Sequence, residues 1–244
     1  MKYIRKHIAN CPDWLVRYKR SWNPEENLGR LYPIYTRNPP KDEFYNDNEH
    51  ESLPKNLANE QFNICCYCMV EINRKGSSDV TPEHFIPQRR YINTTNHPFY
   101  NESHYSIEEH EREQTNYMNL LASCSGREGC SSKKGNFPFA SDPRHRDCET
   151  IVEILDDGNY YLNDKNWEND FITLKLIDNN PRYLSQRRAI IEEASERLKK
   201  KNKENQDRLQ QNLQEEIEYW TTPQNGSLRP FCMAAVHYLK RKQR

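Results

Sequence analysis

The chain has 244 residues, of which 34% are hydrophobic and 30% are charged, and its mean hydropathy is −1.14. This composition excludes one large apolar core and favours a small core with long, solvated helices. Basic and acidic residues are equal in number, with 36 of each, so the net charge is zero. Overall charge therefore does not indicate a nucleic-acid-binding protein, and any such surface must be local or supplied by a partner.

No window contains the roughly 18–20 apolar residues of a membrane span, and the N-terminus lacks the apolar stretch of a signal peptide. We therefore expect a cytoplasmic protein without membrane contacts. In that compartment eight cysteines indicate metal ligands or free thiols rather than a disulfide framework.

The chain divides into three predicted regions. Residues 1–60 are rich in proline, which breaks long helices, and are interpreted as an N-terminal segment that wraps against the rest. Residues 61–150 contain the motifs described below, interrupted by a polar insertion at 93–116. The insertion has five glutamates and three histidines, His97, His104 and His110, which we expect to be solvated.

Residues 151–244 are predicted to form a hairpin followed by helices that serve either packing or docking of a partner. Asp157-Gly158 between two apolar runs indicates the hairpin. Neither proline nor glycine occurs from Arg182 to Trp220, which favours helix, with a possible break within the apolar-free span 199–208. The apolar stripe of this region is more typical of a packing face than of a partner-docking face: Leu209, Leu213, Ile217 and Trp220.

Two cysteine pairs are the strongest indication of a metal-binding site in the sequence. Cys65-x-x-Cys68 and Cys124-x5-Cys130 offer four thiolates, the number that a structural zinc site requires. Cys66 leaves an alternative, since Cys66-Tyr67-Cys68 is a possible but poorer pair. The sequence therefore predicts a four-cysteine zinc site that includes Cys65 and Cys68.

Between the cysteine pairs lie residues suited to phosphodiester hydrolysis. The imidazole of His84 can take a proton from an attacking water, and Glu83 is a hard oxygen donor suited to Mg²⁺ or Mn²⁺. Asn119 is expected to hydrogen-bond the base or a carbonyl near it. Lys133, Lys134 and Arg144 are candidate phosphate contacts. Without the insertion, residues 60–147 hold nine basic and seven acidic residues, so binding of free nucleic acid should be weak.

Several short motifs around these residues resemble those of a known protein family. The succession of CxxC, EHFIPQ, NYMNLLASC and the following CSSKKG resembles an HNH endonuclease of the ββα-metal, treble-clef type. More narrowly, MKYIRK, PDWL, NLLASCSG and FPF-x-x-DPR resemble PtuB-like effectors of Septu-type and retron-linked anti-phage systems, over roughly residues 1–150. The resemblance implies His84 as general base, Glu83 as metal ligand and Asn119 as the middle residue of the motif. It also implies the zinc ligands Cys65, Cys68, Cys124 and Cys130.

One position departs from the family pattern. Many HNH proteins place His or Asn directly after the last zinc cysteine, as a second ligand of the catalytic metal, whereas this chain has Ser131. A hydroxyl is a weak ligand, so Ser131 is expected to act through water, or Asn136 to serve instead.

The sequence thus predicts an α+β protein with a small zinc-stapled ββα core, a proline-rich N-terminal segment and C-terminal helices. The expected function is a metal-dependent endonuclease, with DNA favoured and structured RNA such as tRNA as the alternative substrate. By resemblance it is a toxic anti-phage effector controlled by a PtuA-like ATPase, with a retron reverse transcriptase and its DNA as further possible partners. A non-catalytic zinc-binding adaptor is the alternative of another class, and it would not need Glu83, His84 or Asn119.

Overall fold

The computed structural model describes residues 1–13, 15–16, 53–73, 79–88, 92, 98–100, 105–177, 182–204 and 206–243. Most of the predicted N-terminal segment lies outside these residues, as do His97 and His104 of the insertion. The described chain is α+β, with helices and two small antiparallel sheets. It forms two compact units, each built from separate stretches of sequence. The three consecutive regions inferred from the sequence stay a prediction.

The first unit, termed the ββα unit, comprises Arg5–Gln61 and Ile72–Ala140. Its regular elements are α1 (Leu53–Glu60), β1 (Val80–His84), α2 (Ile107–Gln114), β2 (Leu120–Cys124) and α3 (Cys130–Lys134).

Strands β1 and β2 pair antiparallel, so that Glu83 lies opposite Leu121 and His84 opposite Leu120. Helix α1 packs on this pair of strands. The side chain of Gln61, just after α1, accepts from Ala122 N at 2.7 Å and donates to Ala122 O at 2.8 Å. A buried amide thus satisfies both main-chain groups of one residue of β2, which would otherwise be unpaired inside the protein.

The sequence predicts a short helix at Tyr117–Leu121, and the structure corrects its second half. Tyr117–Asn119 form one turn of 3₁₀ helix, whereas Leu120 begins strand β2. Pairing with β1 overrides the local helical preference, because it buries all five residues of β2.

The second unit, termed the helical unit, comprises Met1–Ile4, Phe62–Glu71 and Ser141–Arg244. Its elements are α4 (Cys148–Ile151), β3 (Val152–Ile154), β4 (Tyr160–Leu162), α5 (Glu168–Thr173), α6 (Leu184–Glu204), α7 (Leu209–Thr221) and α8 (Cys232–Lys242). The hairpin prediction is confirmed, with Val152 opposite Leu162 and Gly158 at a φ of +80°, which glycine adopts without strain.

Helices α6, α7 and α8 pack against one another, and α8 also packs on β3. Helix α6 continues through the apolar-free span as far as Glu204, and Gln206–Arg208 form a 3₁₀ turn before α7. The packing interpretation of the apolar stripe is confirmed for Leu213, Ile217 and Trp220, which are buried, whereas Leu209 is 54% exposed. Across the described residues, no helix has the length and apolar character needed to cross a membrane.

Candidate active site and metal centre

The four cysteines of the two predicted pairs lie together in the structure. The Sγ atoms of Cys65, Cys68, Cys124 and Cys130 are all within 4.8 Å of one another, and all four residues are buried. In a tetrahedral zinc site, Zn–S bonds of about 2.3 Å place sulfurs about 3.8 Å apart. The cluster therefore has the donor set and the spacing to hold a metal such as zinc.

The local backbone supports thiolate ligands at this cluster. The main-chain N–H of Cys130 donates to Cys124 Sγ at 3.2 Å, a contact that stabilises a negatively charged sulfur. Around the first pair, Met69 N donates to Cys65 O at 3.1 Å and Cys65 N donates to Val70 O at 2.9 Å, which closes a tight turn. Cys66 is buried but is not a member of the cluster, so the alternative pair is not the one that the fold assembles.

A cavity of about 370 Å³ lies beside strand β1 in the ββα unit. Its volume falls within the range typical of small-ligand sites. It is lined by residues from β1, the turn after β1, and α3 with the residues that follow it: Pro82, Glu83, His84, Pro87, Gln88, Ser131, Gly135 and Asn136. The fold thus brings the predicted base, the predicted metal ligand and both candidates for the second ligand to one cavity.

His84 is held by the main chain of helix α2. Its Nε2 lies 2.9 Å from Gln114 O, and because a carbonyl oxygen only accepts, Nε2 carries the proton and Nδ1 keeps a lone pair. The side-chain amide of Gln88 lies 3.3 Å from the same nitrogen. Burial lowers the pKa of His84 to about 4, opposed by the Gln114 hydrogen bond and aided by the charge of Lys134. The imidazole is therefore neutral near pH 7, as a proton acceptor must be.

Asn119 is fully buried, and its side chain hydrogen-bonds to the main chain of the turn that follows β1. Its Oδ1 accepts from Ile86 N at 2.8 Å, and its Nδ2 donates to Ile86 O at 2.9 Å and to Glu113 O at 3.1 Å. Of the two roles inferred from the sequence, the structure shows contact with a carbonyl near the base. Asn119 therefore shapes the turn next to His84.

Lys134 is a buried residue that contacts both Glu83 and His84. Its side chain is 0% exposed, and its Nζ lies 3.2 Å from Glu83 Oε1 and donates to His84 O at 2.9 Å. A buried ammonium needs such a partner, because an uncompensated charge in the interior is costly. In this arrangement Lys134 fixes both residues of the Glu-His pair, and its predicted contact with phosphate stays a prediction.

The other two candidate phosphate contacts make local ion pairs. Lys133 Nζ lies 2.6 Å from Glu128 Oε2. Arg144, in the helical unit, binds Asp142 through two parallel hydrogen bonds of 2.8 and 2.7 Å. In each pair the carboxylate is at least partly exposed, 67% for Glu128 and 25% for Asp142, and ion pairs that water can reach contribute little to stability.

The insertion contributes to this site through helix α2, a role that the sequence did not indicate. Expecting His110 to be solvated was wrong, since it lies in helix α2 and is only 2% exposed. Ser106 and Glu109 form a capping box at the start of this helix, and the Ser-x-x-Glu spacing was a usable signal for it. The contact between Gln114 O and His84 had no such signal, because a main-chain carbonyl has no sequence signature.

Comparisons with protein-family models and with curated proteins gave no match to this chain. The function proposed for it therefore rests on the residues of the site and on their geometry.

Proposed function

We propose that this protein is a metal-dependent endonuclease of the HNH type, which hydrolyses phosphodiester bonds. The observation that carries the proposal is the cavity lined by Glu83, His84, Ser131 and Asn136. The paired strands β1 and β2 followed by α3, with Cys124 on β2 and Cys130 on α3, support it further. A zinc-binding adaptor would need the cysteines but has no use for a neutral, buried imidazole beside a carboxylate.

In the proposed reaction, His84 acts as the general base. With Nε2–H bound to Gln114 O, the lone pair on Nδ1 takes a proton from the water that attacks phosphorus. Asn119 holds the turn at Ile86, and the ion pair of Lys134 with Glu83 fixes the neighbouring carboxylate. These contacts position the base before substrate binds, so little reorganisation is needed during reaction.

The donors at the cavity fit a hard divalent cation. A carboxylate, a hydroxyl and an amide oxygen come from Glu83, Ser131 and Asn136, and such oxygen ligands suit Mg²⁺ or Mn²⁺. When bound there, the ion would stabilise the charge that develops on the phosphate and on the leaving oxygen. The four-cysteine cluster is proposed to hold a separate, structural zinc ion.

DNA is the proposed substrate, and structured RNA such as tRNA is the alternative that a test must separate from it. Through its resemblance to PtuB-like proteins, the chain is further proposed to be a toxic anti-phage effector. A PtuA-like ATPase would hold it inactive until infection, and a retron reverse transcriptase and its DNA are proposed as further partners.

The experiment is to incubate the purified, zinc-loaded chain with duplex DNA, single-stranded DNA and tRNA, with Mg²⁺, with Mn²⁺ and with EDTA. Cleavage of DNA that needs a divalent ion supports the proposal. Cleavage of tRNA alone would replace DNA by RNA as the substrate. Failure to cleave any of them, with or without the ATPase partner and its trigger, would favour the adaptor function.

A further inference from the structure

Helix α2 is tied to the candidate active site by four polar contacts. Gln114 O binds His84 Nε2, and Glu113 O accepts from Asn119 Nδ2. The side chain of Gln114 donates to Gln88 O at 3.2 Å. The fourth contact joins His110 Nδ1 to Pro87 O at 2.5 Å. The last turn of a helix thus lies over the segment that contains the base.

Hydrophobic packing contributes little to the attachment of this helix. Of its eight residues, all of which the structure describes, His110 alone is buried, and Ile107 is 59% exposed. The capping box stabilises the first turn of the helix, but it makes no contact with the site. The position of α2 therefore depends on its polar contacts, and among these the His110 bond is the one made by a buried side chain of the helix itself.

The His110 contact has a defined direction. Because Pro87 O only accepts, the proton lies on His110 Nδ1. The ring of Tyr105 packs edge-on against the imidazole, with centroids 5.8 Å apart, which limits its rotation. His110 precedes Gln114 by four residues, which is about one helical turn. A bond that fixes His110 therefore also fixes the position of the Gln114 carbonyl.

We propose that His110 is a positioning residue for the general base. By binding Pro87 O it fixes the end of α2, where Gln114 O holds His84 in the Nε2–H tautomer and leaves Nδ1 as the proton acceptor. Its effect on cleavage rests on the proposed nuclease function, whereas its effect on the His84 tautomer does not.

The test compares two substitutions of His110. His110→Asn keeps an N–H donor close to the position of Nδ1, whereas His110→Phe keeps a ring but removes the donor. The exposed His7, also in the ββα unit, provides the matched control His7→Phe. For each protein, the His84 tautomer is measured by ¹⁵N NMR of the imidazole, together with kcat, KM and zinc content.

The wild-type, His110→Asn and His7→Phe proteins should show His84 in the Nε2–H form. In His110→Phe, His84 should become a mixture of tautomers, and kcat should fall at least about tenfold, within the contribution of a general base. Zinc content and KM should change little, because the cysteine cluster and the cavity lining are intact. Restoration of kcat in His110→Asn distinguishes a positioning role from a loss of packing.

Three results would overturn the proposal. One is an unchanged His84 tautomer and kcat in His110→Phe, and another is a His110→Asn protein as impaired as His110→Phe. The third is a wild-type spectrum that shows His84 in the Nδ1–H form, and this test remains even if His110→Phe does not fold. A wild-type chain that cleaves nothing, with or without the ATPase partner and its trigger, would refute the nuclease function, while the tautomer measurements would still test the role of His110.

Discussion

Lys134 Nζ lies 3.2 Å from Glu83 Oε1, and the side chains are 0% and 6% exposed. The same ammonium donates to the carbonyl oxygen of His84. One buried lysine thus contacts both residues of the Glu-His pair, and it serves as the internal counter-ion of the candidate metal ligand. The sequence suggests phosphate binding for two adjacent lysines, but the structure gives them different surroundings.

The first prediction compares these two lysines. Lys134→Met should lower the free energy of unfolding by about 3–5 kcal/mol, because it removes the buried cation that pairs with the buried Glu83 carboxylate. Lys133→Met removes a pair whose carboxylate partner, Glu128, is 67% exposed, and it should lower the free energy of unfolding by less than about 1 kcal/mol. Urea denaturation of the zinc-loaded proteins measures both. Equal effects would contradict the assigned role of Lys134.

The second prediction concerns the metal centre. Cys65→Ser should abolish stoichiometric zinc binding and leave the protein aggregated, because structural zinc contributes folding free energy directly. Cys66→Ser, at the adjacent buried position outside the cluster, should retain about one zinc ion per chain, as a four-thiolate site requires. Metal analysis of the soluble fractions decides. Loss of zinc from the Cys66 variant would indicate a different ligand set.

The third prediction separates packing from docking in the C-terminal helices. Trp220 is fully buried in the helical unit, so Trp220→Asp should unfold this unit, with a cost above about 3 kcal/mol. Leu209, on the same helix, is 54% exposed, and Leu209→Asp should leave stability within about 0.5 kcal/mol. If α7 docks a partner, Leu209→Asp should weaken the complex. A stable Trp220→Asp protein would refute the observed packing.

The fourth prediction is that acid lowers stability. Burial lowers the pKa of His84 to about 4, and it lowers the pKa of His237 to about 3, aided by the chain's amino group, Lys240 and Arg241. An unfolded histidine titrates near pH 6.5. The unfolded chain therefore binds more protons than the folded chain below that pH, and stability is lost as the pH falls.

At pH 5.5, one unit below the pKa of an unfolded histidine, each of these two residues should lower the free energy of unfolding by about 1.4 kcal/mol. Chemical denaturation at pH 7.5 and 5.5, with zinc retained at both, measures the difference. His237→Gln keeps a donor for Glu149 O and should roughly halve the pH-dependent loss. A pH dependence identical to wild type in this variant would show that His237 does not contribute.

The sequence predicted those features that short motifs encode. The pairs Cys65/Cys68 and Cys124/Cys130 have ligand spacing, and the structure brings them together. Asp157-Gly158 marks a turn in which glycine adopts a positive φ. Asn119 was assigned to the surroundings of the base, and its bonds to Ile86 are there.

Other features depend on tertiary contacts and could not be predicted in this way. A lysine next to another lysine looks like surface charge, and only the fold shows that Lys134 is buried against Glu83. His110 lies among polar and charged residues that predict a solvated loop, yet the helix presents it inward to Pro87 O. The helical unit draws Phe62–Glu71 together with the C-terminal helices, which no local pattern indicates.

The most direct test of the central claim is a comparison of divalent-ion-dependent cleavage by the wild-type chain and by His84→Ala, with His7→Ala as the matched control. We predict that the wild-type and His7→Ala proteins cut a labelled DNA duplex at the same rate. His84→Ala should be slower by about 10²–10⁴-fold, the usual contribution of a general base, with zinc content and folding unchanged. Cleavage by His84→Ala at the wild-type rate would contradict the account.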